Sequence, residues 1–369
     1  MKNGTLSRQF EDWLGRRGSA VPILPPSTTA HSGFRPSVFE KAGGRGKREA
    51  AIPGKSDLSN GGGFMTWSSK RIRGGVAFLI LGLWMRPAAW GQDPDFDKVQ
   101  IQTIRVAETI YMLLGAGGNI GVSVGEDGVF LVDDQYAPLH QKIKDALAKI
   151  SKEPVRFVLN THWHWDHTGG NELMGKTGAV IIAHDNVRKR LSSEQFTEFF
   201  QRRSPAAPKA ALPVVTFTSD ITVHYNGEDI YAFHVDPAHT DTDSMVYFRR
   251  SNVLHTGDVY NSASYPFLDL SSGGSINGII TAMDQILQKV RPDTKVIPGH
   301  GPLSDVPGIR SYRDMMTTIR DRILSQVRAG KTMEEVVASK PTAEFDPNRK
   351  GTRPSDDFVK MIYQDLSRK

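Results

Sequence analysis

The chain has 369 residues, of which 38% are hydrophobic, 46 are Lys or Arg, 40 are Asp or Glu and none is Cys. Residues 1–91 hold 14 of the basic and 5 of the acidic residues, so the remaining chain, with 32 basic and 35 acidic residues, is mildly acidic. This balance removes the main electrostatic argument for nucleic-acid binding, and the lack of cysteine excludes disulfides, thiolate metal ligands and a lipoprotein anchor.

The first 91 residues form two segments that are not expected to belong to the folded domain. Residues 1–64 are rich in Gly, Pro, Ser and basic side chains without periodicity, which predicts disorder and, with a second start at Met65, absence from the mature protein. A basic cytoplasmic tail is the alternative for this segment. Residues 65–91 have a basic start, a short apolar run and small residues before Gln92, which is the layout of a secretory signal peptide. We expect a periplasmic or secreted protein without stable membrane insertion after cleavage, or a membrane-anchored one if the segment stays uncleaved.

Residues 92–369 are predicted to form one domain, because strand-like and helix-like patterns follow each other twice. In the first half the predicted strands are 101–106, 110–114, 120–124, 129–132, 155–159 and 180–183, and the predicted helices are 138–150 and 186–203. In the second half the predicted strands are 214–217, 221–225, 230–235, 245–248, 252–254 and 295–297, and the predicted helices are 275–290, 309–329, 333–339 and 356–367. This order predicts an α+β fold in which two sheets pack face to face with helices outside.

The densest group of polar side chains comes directly after the predicted strand 155–159. Residues 161–171 read Thr-His-Trp-His-Trp-Asp-His-Thr-Gly-Gly-Asn and contain four potential metal ligands: His162, His164, Asp166 and His167. Imidazole and carboxylate groups suit a zinc-like ion, and packing so many of them together would be costly without a cation. In an extended segment His162 and His164 point to the same side, whereas His167 must point elsewhere. The patch therefore predicts two ions rather than one.

Three later patches add one potential ligand each, beside short apolar runs. They are Pro237-Ala238-His239-Thr240, Thr256-Gly257-Asp258 and Pro298-Gly299-His300-Gly301. With the first patch, their order and spacing resemble the metallo-β-lactamase superfamily over roughly residues 101–305. The resemblance implies an αββα four-layer sandwich, with two mixed β-sheets packed face to face, helices on the outside and C-terminal helices after residue 305. It identifies the superfamily and leaves the substrate open, since this fold hosts many hydrolyses.

The same resemblance implies a role for each candidate residue. His162, His164 and His239 resemble the ligands of a first ion, and Asp166, His167 and His300 those of a second. Asp258 resembles the carboxylate that bridges both ions in glyoxalase-like branches, and Asp133 is expected to support the ligand loop from outside. The expected cofactor is two Zn²⁺ per chain, with Fe or Mn as the alternative at the second site. Asp166 is in addition the expected catalytic residue, because it can orient the nucleophile.

The implied activity is hydrolysis of a small-molecule carbonyl substrate by a hydroxide that two zinc ions activate. A β-lactamase-like amide or ester hydrolase, acting on a β-lactam or lactone, is the leading hypothesis. Asp258 favours a glyoxalase-II-like thioesterase as the alternative, and iron-dependent oxygen chemistry on a persulfide would require a single iron ion. An exported metal-binding or partner-binding module without catalysis is the non-enzymatic alternative. The substrate-binding residues and the oligomeric state stay undefined, although the loop 259–274 is the expected place for substrate contacts.

Overall fold

A computed structural model describes residues 94–349 and 353–368 of the chain. The predicted disorder of 1–64 and the predicted signal peptide 65–91 lie outside the described residues, so the localisation stays a prediction. The strands are β1 (Gln102–Arg105), β2 (Ile110–Leu114), β3 (Ile120–Gly125), β4 (Gly128–Val132), β5 (Val155–Leu159), β6 (Val180–His184), β7 (Gln195–Thr197), β8 (Arg202–Ser204), β9 (Val215–Phe217), β10 (Asp220–Tyr225), β11 (Glu228–His234), β12 (Ser244–Phe248), β13 (Val253–His255), β14 (Lys295–Ile297) and β15 (Ser304–Asp305).

Eight α-helices connect and cover these strands in the described part of the chain. They are α1 (His140–Leu147), α2 (Trp165–Thr168), α3 (Asn171–Lys176), α4 (Asp185–Leu191), α5 (Ile276–Lys289), α6 (Val306–Arg328), α7 (Met333–Ala338) and α8 (Ser355–Ser367). The predicted cap of α5 is confirmed, since the Ser275 side chain accepts a hydrogen bond from the backbone N–H of Gly278. Within the described ranges, none of the helices combines the length and the apolar character that crossing a bilayer requires.

The strands form two mixed sheets. The first has the order β1-β2-β3-β4-β5-β6-β9, antiparallel up to β4 and parallel from there to β9. The second has the order β10-β11-β12-β13-β14-β15, in which only the pair β13 and β14 is parallel. The strands β7 and β8 form a separate hairpin.

Side chains from both sheets meet in an apolar core between them. Phe130 and Val132 of β4 share this core with Val246 of β12. The alternate residues of β4, Val129 and Leu131, belong to a second core on the other face of the first sheet. Because successive side chains of a strand point to opposite faces, a strand that is buried on both faces needs apolar residues throughout.

Helices close both outer faces. Ile143 and Leu147 of α1 and Met174 of α3 pack in the core outside the first sheet. The core outside the second sheet contains apolar residues of α5, α6, α7 and α8, such as Ile279 and Ile319. The protein is therefore an α+β sandwich of four layers, helix, sheet, sheet and helix, as predicted.

The helix predicted over 186–203 is wrong beyond residue 191. The helix α4 ends at Leu191, and the chain then forms the hairpin β7–β8. At its turn Phe199 and Phe200 pack against Phe267, with ring centroids 5.5 and 4.8 Å apart. This contact with a distant loop, which local sequence does not encode, outweighs the weak helical pattern.

One edge of the sandwich collects the loops that carry the candidate ligands. Parallel neighbours end at the same edge, so the segments after β4 and β5 lie side by side, as do those after β13 and β14. The backbone N–H of Asn119 donates to Gly299 O at 2.7 Å, and its side-chain amide donates to Pro298 O at 2.9 Å. These bonds tie the turn before β3 in the first sheet to the loop after β14 in the second.

Candidate metal centre

The loop after β5 divides its four candidate ligands into two groups by a change of backbone direction. His164 is extended, with φ −63° and ψ 146°, and is the residue before the short helix α2. Asp166 and His167 lie within that helix. The extended part and the helical part therefore point their side chains to different places, although all four ligands lie within six consecutive positions.

The first group consists of three imidazoles, His162, His164 and His239. One nitrogen from each lies within 4.8 Å of the others, and all three residues are buried. Their ring centroids are 4.7 to 4.9 Å apart. His239 follows β11, so this group joins a loop of the first sheet to one of the second.

The second group consists of Asp166, His167 and His300, whose potential ligand atoms also lie within 4.8 Å of one another. Oδ2 of Asp166 is 3.2 Å from Nε2 of His300 and 3.6 Å from Nε2 of His167. The two Nε2 atoms are 3.3 Å apart. Three side chains thus converge on one point from two loops.

Asp258 lies between the two groups. Its Oδ1 atom is 3.1 Å from Nε2 of His167, and its Oδ2 atom is 3.3 Å from Nε2 of His300. The same Oδ2 atom is 3.8 Å from Nε2 of His239 in the first group. The structure therefore brings all seven candidate ligands together, with one carboxylate in reach of both groups.

Asp133 fixes the proton positions on one imidazole of each group. A carboxylate only accepts, so Oδ2 of Asp133 accepts from Thr161 Oγ1 and from Nδ1 of His167, each at 2.8 Å. Because the Thr161 hydroxyl proton is used in this way, Nδ1 of His162, at 3.0 Å, must donate to that hydroxyl. In their neutral forms, both imidazoles then turn the Nε2 lone pair toward the centre, as metal ligands require.

Two further carboxylates hold first-group imidazoles, and the sequence pattern did not reveal them. Oδ2 of Asp269 lies 3.0 Å from Nε2 of His164, which leaves Nδ1 of that ring free. Oδ2 of Asp243 accepts the backbone N–H of His239 at 2.6 Å and that of Thr240 at 2.8 Å. Asp269 is 105 positions from His164 in the chain, so only the folded structure shows the pairing.

Two glycines permit the close packing of these loops. A Cβ atom at Gly118 would lie 2.0 Å from Cε1 of His167, which would displace that ring. At Gly257, the neighbour of Asp258, φ is +51° and a Cβ atom would lie 2.8 Å from Cβ of Thr161. Only glycine fits both requirements there without strain.

The residues present fit a pair of divalent cations. The Nε2 atoms of His162 and His239 are buried and have no hydrogen-bond partner within residues 94–349 and 353–368. A buried polar atom without a partner is costly, and a cation bound within the group would satisfy both nitrogens. The ligand atoms are nitrogen and oxygen only, a set that zinc, iron and manganese accept.

The charges around the imidazoles shift their pKa values in opposite directions. Burial, together with repulsion from neighbouring imidazoles, holds the pKa of His162 well below its usual range. Burial would also lower the pKa of His300, but the carboxylates of Asp258 and Asp166 raise it to about 9. Without a bound metal, His162 is therefore neutral at neutral pH, whereas His300 carries a proton.

Metal uptake should consequently release a proton from His300 and should tighten with rising pH. A cation binds only the unprotonated ring, so below about pH 9 it competes with a proton, and the apparent affinity should rise roughly tenfold per pH unit for each proton released. Calorimetric zinc titrations of the metal-free protein in buffers of different ionisation enthalpy would measure this release. The variant His300→Ala should release fewer protons but not none, because nearby carboxylates also raise the pKa of His167. A zinc affinity that does not change between neutral pH and pH 9 would contradict the prediction.

A cavity of about 420 Å³ opens directly over the two groups. Its lining includes Asp166, Asp258 and His300 together with the side chains of Asn261, Tyr265 and Phe267 from the loop 259–274. Tyr260 of the same loop is buried elsewhere, with its hydroxyl 2.8 Å from that of Ser304. The lining also includes Arg353, close to the carboxyl end of the chain, which no sequence motif marks as a functional residue.

The chain matches a known family over more than half of its length. The sequence profile described as the metallo-beta-lactamase superfamily matches residues 114–306. Metallo-beta-lactamase type 2 of Bacillus cereus is 25% identical over 179 residues, which cover 48% of this chain and 64% of that protein. Hydroxyacylglutathione hydrolase of Pelagibacter ubique is 28% identical over 150 residues, which cover 40% of this chain and 52% of that protein. The chain thus spans less than two thirds of the length of either relative.

The fold is also similar to that of solved structures. The inverting sec-alkylsulfatase Pisa1 from Pseudomonas sp. is 18% identical, with a TM-score of 0.57. The similarity covers 72% of this chain and 50% of that one. At this level of identity the likeness concerns the fold alone.

Proposed function

The chain belongs to the metallo-beta-lactamase superfamily, and from this membership we propose that it is a zinc-dependent hydrolase with a two-metal site. Its substrate would be a small molecule whose amide or ester carbonyl is attacked by water, such as a β-lactam or a lactone. The observation that carries the proposal is the position of Asp258, which is in reach of both ligand groups at the floor of one open cavity.

Each ligand group would hold one ion. The first ion would be held by His162, His164 and His239, and the second by Asp166, His167 and His300, with Asp258 shared. When bound, such ions lower the pKa of water toward neutrality and polarise a carbonyl group. Around them, the chain supplies the fixed tautomers that Asp133 and Asp269 impose, so the ligands need no rearrangement.

Asp166 is the residue that we assign to the attacking water. Its side chain is 18% exposed and lines the cavity, whereas His167 is fully buried. Burial would raise the pKa of Asp166, but the charge of His167, together with the hydrogen bond and charge of His300, lowers it to about 2. An ionised carboxylate at the cavity wall can accept a hydrogen bond from water and so orient its lone pair toward the carbonyl carbon.

A thioesterase is the second candidate. The Pelagibacter relative is a hydroxyacylglutathione hydrolase, and Asp258 stands where a shared carboxylate is expected in that branch. The same ligand groups and the same Asp166 would serve a thioester carbonyl. The two candidates therefore differ in the leaving group and in the substrate that the cavity would accommodate, not in the metal centre.

A substrate panel with metal analysis would test the proposal. The purified full chain should bind about two zinc ions and hydrolyse at least one of nitrocefin, an acyl-glutathione thioester and an acyl-lactone. Asp166→Ala should lower the rate by about 10² to 10⁴, the range for loss of a general acid or base. The exposed carboxylate of Asp236 offers a matched control, since Asp236→Ala should leave the rate unchanged.

The other outcomes would identify either a contaminating activity or a rival function. Turnover that survives both Asp166→Ala and His162→Ala would show that the activity belongs to a contaminant. A single iron ion per chain would favour the persulfide oxygenase, and two bound metals without any turnover would favour the non-catalytic module. The proposal further includes export, based on residues 65–91, and no nucleic-acid partner, based on the acidic charge of the rest of the chain.

A further inference from the structure

Arg353 reaches the metal centre from a part of the chain beyond the superfamily match. The match ends at residue 306, and Arg353 comes two positions before the helix α8. Its side chain nevertheless lines the same cavity as Asp166 and Asp258. The segment after the matched domain therefore adds a cationic side chain to the cavity.

The guanidinium of Arg353 lacks the partners that a buried charge requires. Its Nε and Nη1 atoms are buried without a hydrogen-bond partner among the residues that the structure describes. Burial lowers its pKa to about 10, against the attraction of Asp357 and Asp258, so the group is cationic at neutral pH. Buried charged groups are normally paired, because an unpaired one is expensive. Within residues 94–349 and 353–368, this cavity thus holds a cation whose Nε and Nη1 groups have no acceptor.

The aromatic ring of Phe267 neighbours both the guanidinium and the first ligand group. The central guanidinium carbon of Arg353 lies 5.0 Å from the ring centroid of Phe267 and 5.7 Å from that of Phe199. The ring of Phe267 is also 5.8 Å from that of His164 and 6.1 Å from that of His239. An apolar surface of the cavity is therefore shared by the cation and the metal ligands.

We propose that Arg353 anchors a carboxylate of the substrate, whose apolar body lies on Phe267 and whose carbonyl carbon reaches the metal centre. A guanidinium presents its N–H groups in a planar fork that matches the two oxygens of a carboxylate. The proposal rests on the hydrolase proposed above, and it narrows the substrate to an acid with an apolar spacer. Arg353 is on this view a specificity-determining residue.

Binding of a matched pair of probes to the full zinc-loaded chain would test the anchor without relying on turnover. Phenylacetate carries the carboxylate and an aromatic body, and phenylacetamide is its neutral counterpart of nearly the same shape. By calorimetry the wild-type protein should bind phenylacetate about ten- to a hundredfold more tightly, which is the range for a hydrogen bond to a charged group. Equal affinities for the two probes would overturn the proposal.

Variants would separate the anchor from a structural role. Arg353→Met, of similar length, should remove the preference for phenylacetate and leave the affinity for phenylacetamide unchanged, while Arg353→Lys should keep part of the preference. The exposed Lys360 of α8 provides the control, since Lys360→Gln removes a charge from the helix that follows Arg353 and should change neither affinity. If phenylacetate bound Arg353→Met as tightly as wild type, its carboxylate would sit on the metal and the proposal would be wrong.

The test distinguishes this proposal from the proposed function. A chain that hydrolyses a panel substrate but binds both probes equally would keep the hydrolase and lose the anchor. A chain that prefers phenylacetate through Arg353 but turns over no substrate would keep an anion site and lose the hydrolase. For a carboxylate substrate, Arg353→Met should raise KM by the same factor as the loss of phenylacetate binding, with kcat nearly unchanged.

Discussion

Replacing Asp258 by asparagine should lower the turnover number by about two to four orders of magnitude and reduce the bound zinc from two ions toward one. The carboxylate is in reach of His167, His300 and His239, so both ligand groups lose their shared negative charge in this variant. Removing one preorganised electrostatic group from a reacting centre lowers turnover by about 10² to 10³, and the loss of one of the two ions adds to this effect.

Elemental analysis of the purified variant, together with turnover at saturating substrate, would check this expectation. Asp236→Asn is the matched control, because that carboxylate is exposed and should affect neither quantity. If Asp258→Asn kept two zinc ions and at least a tenth of the wild-type rate, Asp258 would not be a shared ligand, and the thioesterase candidate would lose its support.

Replacing Asp133 by asparagine should weaken zinc binding by about 10- to 100-fold, although Asp133 is not a candidate ligand. Oδ2 of Asp133 accepts from both Thr161 and His167, and an amide nitrogen at this position can only donate. Nδ1 of His167 would then have to accept a hydrogen bond from this amide. The ring proton would move to Nε2, the nitrogen that should bind the cation. One buried substitution would therefore disturb a ligand of each group, because the tautomer of His162 depends on the same Thr161 hydroxyl.

Asp134→Asn is an unusually close control for this prediction. Asp134 is the next residue, is equally buried, and burial with repulsion from Asp133 holds its pKa well above the usual range. Its carboxyl group is thus already pushed toward the neutral form that asparagine imitates. Competition with a fluorescent zinc chelator would measure both affinities. An equal loss of affinity in both variants would show that general packing, and not the tautomer, is responsible.

The sequence was sufficient to predict the elements that are set by local chemistry. The apolar runs on both sides of residues 161–171 had to become buried strands, and the helix beginning after Ser275 was evident from its cap and apolar stripe. The seven candidate ligands stand beside predicted strand ends, and parallel strands bring such ends to one edge. Their convergence in the structure follows from that topology.

The parts that could not be predicted depend on contacts between distant residues. The hairpin at 195–204 is held by Phe199 and Phe200 on Phe267, and no local pattern encodes that partner. Asp269 and Arg353 are, taken alone, an ordinary loop carboxylate and an ordinary arginine before a helix. Their significance lies in the 3.0 Å contact with His164 and in the unpaired atoms beside the cavity, which appear only when the loops are assembled.

The candidate ligands are divided between the two halves of the sandwich. His162, His164, Asp166 and His167 follow a strand of the first sheet, whereas His239, Asp258 and His300 follow strands of the second. Cations bound between them would link the loops of the two sheets, which the hydrogen bonds of Asn119 to the loop after β14 already connect. Separation of the two sheets would then require release of the metal ions. Resistance to unfolding and retention of metal should therefore rise and fall together.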